Sequence, residues 1–120
     1  MQIKNSMEKN NKYMVGFDLG DRDAQISFCS VQQPEAETVP AVAGTQQYNI
    51  PTVLYKRRGM SQWLYGREAL RVAQEEEGTF VEHLFSGALE DKKTVIEGTE
   101  YDALTLLTLF VKKCFGLFSV

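Results

Sequence analysis

The stretch "YMVGFDLGDRDAQISF", Tyr13 to Phe28, constrains this chain more than any other. An apolar run from Tyr13 ends at Leu19. After the polar linker Gly20 to Asp23, Ala24, Ile26 and Phe28 alternate with Gln25, Ser27 and Cys29. A period of two marks a strand with one face in a core. Two strands joined by so short a linker pair most simply as a hairpin. The hairpin serves either as a bare turn or as a phosphate cradle. A cradle needs backbone N–H groups converging at a tight turn with little side chain in the way. A carboxylate at the end of the first strand then holds a water of hydrated Mg²⁺, an ion that keeps several of its waters. Asp18 and Gly20 have the required chemistry.

The rest of the chain reads as a mixture of strands and helices. Glu37 to Val42 has the character of a third strand, placed at an edge by Pro40, which cannot donate to a ladder. Asn49 to Lys56 reads as one strand, Arg57 to Met60 as a solvated turn, and Trp63 to Tyr65 as β-prone. The period then changes. Ala69, Leu70, Val72 and Ala73 fit one helix face, with Glu75 to Glu77 at its solvated end. "GTFVEHLFSGALEDKKTVIEG" predicts a short helix and a short strand. Thr99 and Asp102 have capping-box spacing ahead of the clearest helix, which runs to the C-terminal end. Its apolar positions, from Leu104 to Phe118, exceed a single stripe. Such a helix needs cover on two sides, which predicts a protein partner or self-association, or a longer chain of which this is an N-terminal piece.

Composition excludes several classes. The 120 residues carry a net charge of -3, with 43% hydrophobic and 24% charged residues. That suits a soluble globular domain and argues against a nucleic-acid surface, which is normally basic. Cys29 and Cys114 have neither metal-site nor disulfide-framework spacing and read as buried thiols of a reducing cytoplasm. Residues 1–12 lack the apolar core of a signal peptide and read as a flexible leader, with the folded part at 13–120. No apolar run reaches the roughly 18 residues of a membrane span.

Three segments, taken in order, suggest a family. "VGFDLG" (Val15 to Gly20), "IPTVLY" (Ile50 to Tyr55) and "WLYGREAL" (Trp63 to Leu70) resemble segments of the actin and heat-shock-chaperone ATPase superfamily, nearest the seventy-kilodalton chaperones and bacterial actin-like proteins. The resemblance spans roughly residues 13 to 118. It implies an α/β, ribonuclease-H-like mixed sheet led by a β-hairpin with flanking helices, half of an actin-like ATPase lobe. It also implies ATP and Mg²⁺ as ligands, with Asp18 reaching Mg²⁺ through water and Gly20, Asp21 and Arg22 at the phosphates. A sugar or acetate kinase of the same superfamily also begins with such a hairpin, but "IPTVLY" and "WLYGREAL" point away from that branch.

The departures from the family pattern matter as much. Small hydroxyl residues are expected after Asp-Leu-Gly; this chain has Asp21, Arg22 and Asp23. Like unit charges about 4 Å apart cost on the order of 4 kcal/mol at an effective dielectric of 20. Where the family carries a catalytic lysine, the approximate counterpart is His83, which as a lone histidine reads as structural or surface-exposed. The later elements that enclose ATP are absent. The chain by itself is therefore not expected to hydrolyse ATP. The alternative is a non-catalytic interaction or scaffold module that kept the fold and lost phosphate binding.

Overall fold

The computed structural model describes residues 13–32, 34–41 and 45–117. Tyr13–Leu19 (β1) and Asp23–Ser30 (β2) pair antiparallel, with Leu19 opposite Ala24 and Asp18 opposite Gln25. The alternation in β2 has the predicted effect: Ala24 and Ile26 are buried and Phe28 is half-buried. In β1, Val15, Phe17 and Leu19 pack on the core, while Met14, Gly16 and Asp18 are exposed. The third strand is shorter than the sequence suggests. Glu37–Thr38 (β3) pairs with β2 and stops before Pro40; Val42 lies outside the described residues, as does the 1–12 leader.

The expected strand from Asn49 to Lys56 is in fact two. Ile50–Pro51 (β4) joins β2, and Leu54–Arg57 (β5) leaves for a second sheet. There β5 lies between Trp63–Tyr65 (β6) and Gly78–Val81 (β7). The break at Thr52 and Val53 is enforced by hydrogen bonding. Thr52 N–H donates to Arg22 O and Val53 N–H to Pro51 O, so neither continues a ladder. β5 is buried on both faces. Leu54 faces a core shared with Ile26, Ile50, Leu84, Leu106, Phe110 and Cys114, while Tyr55 faces Val53, Leu64, Ala69 and Val72.

Gly66–Ala73 (α1) covers the Tyr55 side through Ala69 and Val72. It ends earlier than the periodicity suggests, so the acidic run lies beyond it. That run is not merely solvated: Arg71 pairs with Glu75, Arg57 with Glu76 and Arg58 with Glu77. Gly78 opens β7 directly under Tyr55. A Cβ there would lie 2.4 Å from the tyrosine ring and 2.6 Å from Lys56 O.

Leu84–Leu89 (α2) is the predicted short helix. Beyond it the prediction needs correction. Lys93–Ile96 (β8) and Thr99–Asp102 (β9) form a hairpin, so Thr99 starts a strand rather than a capping box. Asp102 does precede Ala103–Phe115 (α3), but its side chain makes no capping bond and instead meets Lys93 Nζ at 2.7 Å. The β8–β9 tip docks on the β5–β6 turn. Glu97 takes Lys56 Nζ at 2.7 Å and Gly59 N–H at 2.9 Å. In α3, Ala103, Leu106, Phe110 and Cys114 are buried and burial pushes the Cys114 thiol up to about 12. Leu104 and Phe115 remain exposed. The molecule is thus mixed α/β, with three antiparallel sheets among the described residues rather than one mixed sheet. No helix among them is long and apolar enough to cross a membrane.

Candidate functional site

The β1–β2 turn is built by a small set of backbone constraints. Gly20 N–H donates to Asp23 O at 3.0 Å, closing the turn. A Cβ at Gly20 would lie 3.2 Å from that same oxygen, so a glycine suits the closure. Thr52 then clamps the turn from below. Its N–H donates to Arg22 O at 2.9 Å and its hydroxyl to Gly20 O at 2.8 Å. It is fully buried, and a buried polar group needs such partners. The N–H groups of Asp21 and Arg22 make no hydrogen bond among the described residues.

The carboxylate of Asp21 does not point idly into solvent. Its Oδ1 accepts Ser86 N–H at 3.0 Å; its Oδ2 accepts Ser86 Oγ–H at 3.0 Å and meets His83 Nδ1 at 3.0 Å. The Ser86 N–H and the His83 contact hold the Asp21 carboxyl below its ordinary value. The Asp21 carboxylate in turn raises His83 above the ordinary imidazole value. His83 sits in the left-handed region at φ 58, immediately before α2. The two departures singled out in the sequence are therefore partners of one another, and His83 is not a lone histidine.

Beside the turn lies an open groove of about 520 Å³. Asp21, Arg22, Asp23, Glu82 and His83 supply its polar lining; Pro51, Val53, Leu70 and Phe80 supply the apolar part. The predicted site residues divide accordingly. Asp21 and Arg22 are on the groove and Gly20 closes the turn behind it. Asp18 is exposed on the solvent face of β1, does not line the groove, and makes no ion pair among the described residues. Thr52 and Ser86 were not singled out in the sequence. Only their hydroxyl chemistry, close to Pro51 and to the start of a short helix, hints at a role. Among the described residues no group of three His, Cys, Asp or Glu side chains is placed to hold a metal ion. A hydrated Mg²⁺ held through water needs fewer.

Residues 35–120 match a protein family described as "Family of unknown function (DUF5716) C-terminal". The chain belongs to the DUF5716 C-terminal family. Among the described residues the match takes in β3 to β9 and α1 to α3, and the β1–β2 hairpin precedes it. The Asp21 clasp therefore joins a segment ahead of the DUF5716 match to His83 and Ser86 within it. No curated protein matches the chain.

Proposed function

We propose that the chain is part of an actin-like or chaperone-like ATP-binding protein, built on a ribonuclease-H-like fold, and that the β1–β2 turn is its phosphate contact. The supporting observation is the turn itself. It is closed at Gly20, clamped by Thr52, and leaves the Asp21 and Arg22 amides without partners among the described residues. Amides held in that way suit an anion. Asp18, exposed and without an ion pair among the described residues, lies two positions ahead of the turn glycine and suits a water of hydrated Mg²⁺. Bound Mg²⁺ would neutralise phosphate charge beside Asp21 and Asp23. Further elements must wall the nucleotide in, because the groove is open. Opening and closing of two lobes around ATP would be the working motion.

Calorimetric titration with Mg-ATP of the full-length protein, of which this chain is proposed to be part, tests this reading. Binding is expected, with Asp18→Ala weakening it in a Mg²⁺-dependent manner. Silence at millimolar ATP with a folded protein would refute it.

A second reading is favoured by the Asp21 carboxylate, whose oxygens are already engaged by the Ser86 N–H and hydroxyl of α2. In that reading the fold is a non-catalytic interaction module, with the exposed Leu104 and Phe115 of α3 meeting a partner or a second copy. Concentration-dependent sedimentation, abolished by Leu104→Glu, is its expected signature. A strictly monomeric profile at high concentration would count against it.

A further inference from the structure

We infer that Asp21, His83 and Ser86 form a protonation-dependent clasp that fastens the β1–β2 turn to the start of α2 and loosens as pH rises. The inference stands on the geometry of three contacts and holds whether or not the turn meets phosphate.

The clasp joins parts of the chain 62 and 65 residues apart. On one side is a turn whose backbone is already fixed by Thr52. On the other is α2, which packs against α3 through Leu84, Leu106 and Phe110. Asp21 is the hinge-pin between them, because its two oxygens together take the Ser86 N–H, the Ser86 hydroxyl and the imidazole. Two of these bonds do not include His83 and depend on it only through its hold on the shared Asp21 carboxylate. The third changes character. A protonated imidazole gives a charge-assisted bond to the carboxylate, which is shorter and stronger than a neutral one.

The direction with pH follows from the two shifted groups. His83 is raised, so its contribution is complete below its ordinary value of 6.5 and is lost as pH rises through its folded value. Asp21 is lowered, so its contribution is complete above its ordinary value of 3.8 and is lost as pH falls through its folded value. The clasp is tightest between those limits. The other charges around His83 are Glu82, its chain neighbour, which favours the imidazolium, and Lys92, which opposes it. Arg22 and Asp23 line the same groove from the turn. The carboxylate of Asp21 is the group in hydrogen-bond contact, so it dominates.

His83 is the single histidine of the chain, which makes the test unambiguous. Proton NMR of the imidazole across pH 5–9 follows its titration, and amide exchange of Ser86 follows the clasp. In the unmodified protein, His83 should titrate above 6.5. After correction for the intrinsic pH dependence of exchange, Ser86 N–H should lose protection across the same midpoint. Asp21→Asn should move the His83 midpoint down and speed Ser86 exchange roughly two- to tenfold, with little remaining dependence on His83. Ser86→Ala should keep the upward shift of His83, since that contact is made by Asp21 directly. A His83 midpoint at or below 6.5, or one unchanged by Asp21→Asn, would overturn the clasp. So would Ser86 protection that stays constant through the His83 transition. The titration of the unmodified protein needs no variant to fold.

Discussion

Gly78→Ala tests the packing logic of the second sheet most directly. The new Cβ would come within 2.4 Å of both Cζ and the hydroxyl oxygen of Tyr55, and within 2.6 Å of Lys56 O. Neither neighbour can retreat easily. Tyr55 is 1% exposed, is packed among Val53, Leu64, Ala69 and Val72, and donates its hydroxyl to Glu76 O at 3.0 Å. Lys56 O belongs to the central strand of its sheet. Overpacking in such a site costs about 1–3 kcal/mol. Displacing the Tyr55 hydroxyl adds about 0.5–1.5 kcal/mol for the lost hydrogen bond. The expected destabilisation is therefore about 2–4 kcal/mol, or a fall of about 10–20 °C in Tm for a domain of this size. Urea unfolding followed by fluorescence reads it cleanly. Trp63 is the one tryptophan, lies on β6 beside β5, and stacks edge-on against Tyr101 at 5.6 Å. Gly59→Ala is the control. Its φ of +72 strains an alanine, but nothing lies within 4 Å, so only about 1 kcal/mol is expected. Tyr55→Leu should relieve much of the Gly78→Ala defect, giving a coupling of about 0.5–3 kcal/mol. A Gly78→Ala cost below that of Gly59→Ala would refute the reasoning.

Two further outcomes rest on other contacts. Thr52→Val keeps shape but orphans Gly20 O and should cost about 1–3 kcal/mol, measured by the same urea titration, with faster exchange of Gly20 N–H. Lys56 and the Gly59 N–H hold the Glu97 carboxyl below its ordinary 4.5. Its contribution is therefore complete above 4.5 and lost as pH falls through the lowered value. Glu97→Gln should flatten the acid limb of a stability–pH curve; an unchanged limb would remove Glu97 from that role.

The parts of this fold that were legible in the sequence are those governed by local pattern. Alternation at Ala24, Ile26 and Phe28 marked β2, and the change of period after Gly66 marked α1. The failures share a cause: hydrogen bonding to another segment of the chain, near or distant, overrode the signal within the segment itself. "NIPTVLYK" looks like one strand until Arg22 O draws Thr52 away from the ladder. Thr99 and Asp102 have capping-box spacing, yet Ile96 and Lys93 pair with them across a hairpin. At the candidate site, the types of Asp18, Gly20, Asp21 and Arg22 were readable from the Asp-Leu-Gly context. That Asp21 would reach His83 and Ser86 was not, because no periodicity connects residues more than 60 positions apart.

The grip of Glu97 on Lys56 and Gly59 bears on where this chain tolerates added length. Turn tips are ordinarily the safest places to insert a tag or a loop, because little depends on them. Here one tip is threaded to another 38 residues away, and Lys56 Nζ also reaches Met60 O at 2.7 Å across its own turn. A residue added between Arg58 and Ser61 would pull the Gly59 amide out of reach and strand the Lys56 ammonium, whose side chain is only 12% exposed. The damage would surface at the β8–β9 hairpin, far along the chain from the edit. For an engineer, those two tips act as one joint and must be redesigned together.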